Sequence, residues 1–211
     1  MTYTHSLALI LLAYLFGSLP IGLLVGRMVK GIDVRDYGSG NIGATNVWRT
    51  MGPLWGTAVF LFDFCKGYLP TVLTVQMTHL HDETPWLPVV VGLAAILGHN
   101  FSPFLRFKGG KGVATSVGVV FGLSPFAAVV GFVVWGVCLL ATRYISVSSM
   151  VAAVLTSIAL IFFHHDPPHI LFGLLVALFV ILKHRPNIAR LKAGTEPKVK
   201  AAIGTKVKAG P

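Results

Sequence analysis

Hydrophobic positions in this chain gather into long unbroken runs. They cover 7–25, 54–75, 86–105, 113–142, 145–163 and 169–182, and short polar stretches rich in Gly, Pro, Lys and Arg separate them. Most are near, or somewhat short of, the roughly 20 residues that cross a bilayer as a helix. The run over 113–142 fits either one tilted helix or two short ones. Gly122-Leu123-Ser124-Pro125 interrupts it, and Gly and Ser-Pro both stop a helix and start another. A β-barrel would show alternating apolar and polar positions, and these runs do not. The pattern predicts an all-α integral membrane protein, a bundle of seven transmembrane helices, some of them short.

Composition agrees. The chain has 211 residues, 55% of them hydrophobic and only 11% charged, too little polar surface for a soluble globule. Its formal charge of +10 would suggest nucleic acid as the partner of a soluble protein. Here 16 of the 17 Lys and Arg residues stand between the apolar runs or in the tail, so they set orientation and no nucleic acid is expected. Lys66 alone lies inside a run. The connections at 76–85, 122–125 and 164–168 carry no Lys or Arg and are expected outside. Splitting 113–142 then puts the other basic clusters on one side, with the N-terminus outside and the C-terminus cytoplasmic. The first run has no basic residue before it and no small-residue cleavage site after it, so it is expected to be a retained helix. Cys65 and Cys138 have no metal-ligand spacing and are expected to pack in the core. Residues 1–192 are read as the membrane domain and 193–211 as a basic, disordered cytoplasmic tail.

Three polar blocks lie on the basic side. The first reads Gly38-Ser39-Gly40-Asn41-Ile42-Gly43-Ala44-Thr45-Asn46-Val47-Trp48-Arg49. Its glycines allow backbone N–H groups to converge on an anion, Ser39 adds a hydroxyl, and Thr45 and Arg49 share a helix face. The second contains Gly109-Gly110-Lys111-Gly112 leading into a helix, in outline a phosphate cradle with one ammonium. It lacks Walker spacing, which argues against nucleotide hydrolysis. The third runs from Lys183-His184-Arg185-Pro186-Asn187 to Gly194-Thr195-Glu196 and offers His184 as a general base or an anion partner. Asp63 and Lys66 share one face of an apolar helix, open to a structural or a direct role.

In this order the blocks resemble the bacterial acyl-phosphate:glycerol-3-phosphate acyltransferases, the PlsY family, from about Tyr14 to Glu196. The resemblance rests on Gly-Ser-Gly-Asn-x-Gly-Ala-Thr-Asn, on Gly-His-x-Phe with Phe-Lys-Gly-Gly-Lys-Gly-Val-Ala-Thr, and on His-Arg-x-Asn-Ile-x-Arg-Leu-x-x-Gly-x-Glu. It implies a seven-helix enzyme of the bacterial cytoplasmic membrane with its active site facing the cytoplasm. Such an enzyme moves a fatty acyl group from acyl phosphate to glycerol 3-phosphate, releasing lysophosphatidic acid and inorganic phosphate. By matching positions it implies Ser39, Lys111 and His184 as catalytic, and Asn41, Thr45, Arg49, Gly109, Gly110, Gly112, Ser149 and Asn187 as substrate-binding. Lys111 and the glycine N–H groups are assigned to acyl phosphate, and Arg49, His184 and Asn187 to glycerol phosphate. The implied partners are these substrates, membrane lipid and the enzyme supplying acyl phosphate. No cofactor or metal is expected. The His-x4-Asp pair of other glycerolipid acyltransferases is missing, because no histidine has Asp five residues later. Acyl phosphate is already activated, so positioning and charge stabilisation suffice, and either His184 or the donor phosphate takes the hydroxyl proton. A membrane transporter of phosphate esters, the alternative, would have a midplane site and commonly two related halves. The polar blocks cluster at one interface instead.

The charge pattern gives a direct topology test. Cysteines introduced at Arg35, Lys108 and Lys198 are expected to react with an impermeant maleimide from the cytoplasm, and one at Asp82 from outside. External reaction at position 198 would contradict the split at Ser124-Pro125.

Overall fold

The first apolar run breaks at Ser18-Leu19-Pro20. In the computed structural model, which describes residues 3–80 and 86–199, α1 (Tyr3–Gly17) ends before these residues and α2 (Ile21–Lys30) begins after them. Proline offers no N–H to continue the helical ladder. The single helix expected over 7–25 is therefore a broken one, although Tyr3–Lys30 still forms an apolar stretch of 28 residues. Backbone carbonyls freed in apolar surroundings need donors. Ser102 Oγ donates to the Ser18 carbonyl at 2.7 Å, and Lys66 Nζ donates to the Leu19 carbonyl at 2.5 Å. Lys66 Nζ also donates to Asp63 Oδ1 at 2.5 Å. The charged pair inside the bundle thus repairs the break in the first span.

After a loop come α3 (Ala44–Met51), α4 (Pro53–Leu80), α5 (Trp86–Asn100), α6 (Val113–Leu123), α7 (Pro125–Thr142), α8 (Ile145–Phe163), α9 (Pro167–Lys183) and α10 (Arg185–Lys192). Among the described residues, five stretches are long and apolar enough to span a bilayer: Tyr3–Lys30, Pro53–Thr78, Trp86–Leu105, Pro125–Thr142 and Ile145–Phe163. A sixth follows if α9 and α10, bent by 52° at His184, are taken together. The long run over 113–142 breaks at Ser124, with Pro125 in the first turn of α7, where its missing N–H costs nothing. The 11 residues of α6 are short for a crossing. This helix is instead buried against α4 at backbone contact distance. A Cβ on Gly67 would lie 2.1 Å from the Thr115 carbonyl oxygen, and one on Gly118 2.1 Å from that of Phe64. Small residues allow such close approach where the hydrophobic effect cannot drive helices together.

A core containing Val89, Val119, Leu160, Phe172 and Val176 joins α5, α6, α8 and α9. A smaller core with Leu23, Val34, Val47, Val59 and Leu105 fixes the first polar loop and α3 over α4. Exposed apolar side chains such as Leu61, Phe126, Phe132 and Leu140 form the outer surface. Residues 81–85, including Asp82, and residues 200–211 lie outside the described residues. The part of the expected tail before residue 200 is not free: Val199 N–H donates to the Arg143 carbonyl at 3.0 Å, and Glu196 is 6% exposed. These contacts tie the start of the stretch read as tail to the bundle, although its apolar content is low.

Replacing Lys66 with Met should strand both the Asp63 carboxylate and the Leu19 carbonyl. A loss of about 3–5 kcal/mol is expected in reversible unfolding in mixed micelles, as for other buried pairs that lose one partner. Adding Asp63→Leu should recover part of it, because the unpaired charge goes. Wild-type stability for Lys66→Met would show that neither group depends on the ammonium.

Candidate active site

The three polar blocks converge because each sits at a helix end on the same side of the bundle. In the first block Asn46, which is 1% exposed, organises the backbone: its Nδ2 donates to the Val34 and Tyr37 carbonyls at 2.8 and 3.1 Å, and its Oδ1 accepts from Ser39 N–H at 2.8 Å. Asn41 Oδ1 accepts from Gly43 N–H at 2.8 Å and so turns the chain into α3. Thr45 and Arg49 project from that helix into a cavity of about 230 Å³. Arg49 also reaches the Pro197 carbonyl at 3.4 Å, and burial lowers its pKa.

The second block differs from the expected cradle in one respect. Gly109 and Gly110 N–H groups donate to the Asn100 and His99 carbonyls at 3.2 and 3.0 Å, so they are already engaged. Neither glycine lines the cavity. Their role is close packing, since a Cβ on Gly110 would stand 2.1 Å from His99 Nε2. The loop thereby delivers Lys111 and Gly112, with φ of +78° at Gly112, to the N-terminus of α6, whose first turn faces the cavity. Lys111 Nζ donates to Asn187 Oδ1. Burial, reinforced by the Arg190 and Arg49 charges and opposed by Glu196, lowers the Lys111 pKa to about 8.

In the third block, His184 lies at the bend between α9 and α10. Its Nδ1 donates to the Val180 carbonyl at 2.7 Å, which leaves Nε2 unprotonated in the neutral ring and available to a ligand. Burial first, and then the Lys111 charge, lowers its pKa to about 4. Glu196 ties the block together. Its Oε1 accepts from Asn187 Nδ2 at 2.6 Å and Ser146 Oγ at 2.8 Å, and its Oε2 accepts from Arg190 Nε at 2.8 Å. Burial pushes its carboxyl up, but the three hydrogen bonds outweigh this and hold its pKa below the ordinary value.

Of the residues singled out in the sequence, Ser39, Asn41, Thr45, Arg49, Lys111, Gly112, Ser149, His184 and Asn187 all line the cavity. Ser149 accepts from Trp135 Nε1 at 3.3 Å. Asn46, Asp63, His99, Ser146 and Glu196 also line it and were not singled out as site residues. Glu196 closes the third motif and was legible there, whereas nothing in the local sequence marks Ser146. Beyond Ser149 the cavity continues between α7, α8 and α9, lined by Phe132, Ala152, Leu160, Phe172, Val176 and Val180. One end therefore concentrates Arg49 and Lys111 near Glu196, with the Asp63 carboxylate already paired to Lys66, and the other accepts an apolar chain.

Comparisons with known proteins identify the family. Residues 7–194 match the family model described as glycerol-3-phosphate acyltransferase. The chain is 46% identical over 187 residues to the glycerol-3-phosphate acyltransferase of Desulforudis audaxviator, covering 89% of this chain and 92% of that protein. It is 45% identical over 192 residues to the one from Bacillus subtilis, covering 91% and 96%. Two solved structures of PlsY, an integral membrane glycerol 3-phosphate acyltransferase, superpose with TM-scores of 0.87 for the glycerol 3-phosphate form and 0.84 for the lysophosphatidic acid form. Each is 39% identical and covers 92% of this chain and 95% of that one. This multi-pass membrane protein therefore belongs to the glycerol-3-phosphate acyltransferase family.

Proposed function

We propose that this chain transfers a fatty acyl group from acyl phosphate to glycerol 3-phosphate at the cytoplasmic face of the bacterial cytoplasmic membrane. The proposed topology has seven crossings, with the N-terminus outside and the C-terminus inside. The observation that carries the activity is one continuous cavity with half-buried cations at one end and an apolar lining at the other. Two phosphate-bearing substrates and one fatty chain need that combination.

In the reaction a glycerol 3-phosphate hydroxyl oxygen attacks the acyl carbonyl carbon. The new ester bond forms as the bond from carbonyl carbon to phosphate oxygen breaks, and inorganic phosphate leaves with the electron pair. Lys111 and the N-terminal turn of α6 are assigned to the donor phosphate, whose charge grows as it departs. Gly109 and Gly110 hold that loop in place, and their own N–H groups are not assigned to phosphate. Arg49 and Asn187 are assigned to glycerol phosphate, with Ser39, Asn41 and Thr45 completing that wall and Ser149 at the junction with the acyl arm. The proton is assigned to the donor phosphate, which gains negative charge and basicity as its bond to the carbonyl carbon breaks. A ring with a pKa of about 4 is a weaker base, so His184 Nε2 accepts a hydrogen bond from the attacking hydroxyl and orients it. The enzyme that makes acyl phosphate is the expected supplier of the donor.

Purified protein given acyl phosphate and glycerol 3-phosphate should release phosphate stoichiometrically with lysophosphatidic acid, and acyl-CoA should not substitute. Comparable turnover with acyl-CoA, free of acyl phosphate, would contradict the donor assignment.

The pH profile tests Lys111. In the free protein it is protonated below about pH 8 and loses its charge above it. The value of kcat/KM for acyl phosphate should accordingly fall as pH rises through 8, and Lys111→Arg should shift that limb upward. Lys111→Ala should lower kcat/KM by about ten- to a hundredfold at pH 7, the worth of a hydrogen bond to a charged group.

A further inference from the structure

The hairpin of α8 and α9 carries Ser146 and Ser149 near the start of one helix and His184 past the end of the other. Its connection is therefore at the opposite end of the bundle, about 28 Å away along a helix of 19 residues. The sequence His164-His165-Asp166-Pro167-Pro168-His169 reads only as an external turn. The structure brings three of its side chains together, each offering a ligand atom, with these atoms all within 4.8 Å of one another. We propose that His164, Asp166 and His169 form a binding site for one divalent transition-metal ion of the zinc class.

Several observations support a built site. The His164 and His169 rings lie side by side, with centroids 4.2 Å apart and planes 11° from parallel, so one ring must turn out of this stack for both to face a single ion. His169 is 7% exposed, so one imidazole is fixed in the protein interior. Asp166 caps α9 by accepting from His169 N–H at 3.3 Å, and its two carboxylate oxygens lie 2.7 and 3.0 Å from His169 Nδ1. The helix cap therefore aims the carboxylate at the imidazole pair. In tetrahedral zinc sites with bonds of about 2.0–2.1 Å, ligand atoms stand about 3.3 Å apart. The observed spacing, up to 4.8 Å, therefore requires side-chain rotation, for which the half-exposed His164 is freer than the buried His169. Two imidazoles and one carboxylate suit zinc, copper or nickel, whereas calcium and magnesium need more oxygen ligands. Three protein ligands leave a fourth position for water. At this distance from Lys111 and His184 the ion would touch no reacting atom. It would clamp the α8–α9 hairpin that holds the two halves of the polar site in register.

The test uses the full chain, without affinity-tag histidines, stripped with EDTA in detergent. Titration with Zn²⁺ should give one equivalent per chain by calorimetry and raise the melting midpoint by several degrees, while Mg²⁺ should do neither. His164→Gln leaves the Asp166–His169 cap contact in place, so its metal-free phosphate release should equal the wild-type rate. Its Zn²⁺ affinity should fall at least tenfold and the thermal shift should disappear. His169→Gln should give the same loss of binding. Failure of the wild-type protein to bind Zn²⁺, or stoichiometric binding that survives His164→Gln unchanged, would overturn the proposal. Binding lost instead in His184→Gln would place the ion in the polar cavity and overturn it equally.

Discussion

The carboxylate of Glu196 is the point on which the polar end of the cavity depends. It accepts from Ser146 at the start of α8 and from Asn187 and Arg190 on α10, and through Asn187 it is linked to Lys111 before α6. Half-buried cations repel one another and lose part of their hydration, so Arg49 and Lys111 on the cavity wall, with Arg190 beside Glu196, need a counter-charge before substrate arrives. Glu196 supplies it and fixes the spacing of the helices that carry them. An incoming phosphate then meets donors that are already oriented, which is the condition for electrostatic stabilisation in a site of low dielectric.

Deeper in the bundle the same requirement for satisfied polar groups takes another form. The break at Pro20 would leave backbone carbonyls bare in apolar surroundings, and Lys66 and Ser102 fill them. Asp63 neutralises Lys66 and also lines the cavity. The repaired first span, the glycine-packed α4–α6 contact and the His99 ring against Gly110 together form the rigid wall behind the Lys111 loop. Short helix α6 is tolerated because it is enclosed by its neighbours, and its N-terminal turn can therefore point at the cavity.

Much of this was legible in the sequence. The apolar runs locate the helices, the Ser-Pro dipeptide marks the break between α6 and α7, and the three motifs supply most of the cavity's polar lining. Other features depend on contacts between distant segments. The break after Gly17 follows from Pro20, but its repair by Lys66 joins residues 47 apart in sequence. The N–H groups of Gly109 and Gly110 look free in a motif and are occupied by the carbonyls of a neighbouring helix end. Glu196 is visible as the last residue of the third motif, although the composition around it reads as solvated tail, and its hydrogen bonds to Ser146, Asn187 and Arg190 join segments that the motif alone does not connect. His164 and His169 are separated by a Pro-Pro turn that brings their rings together, a geometry that spacing alone does not express.

The most direct test of this dependence is phosphate release by Glu196→Gln, with both substrates saturating and the fold verified by circular dichroism. The amide keeps the side-chain shape but sets a donor against the donors of Asn187, Ser146 or Arg190 and removes the counter-charge. A fall of about tenfold or more in maximal rate is expected, from the loss of charge-assisted hydrogen bonds that hold Lys111 and its partners. A rate equal to or above wild type would contradict the central role of Glu196, because it would mean that the cations need neither its charge nor its positioning.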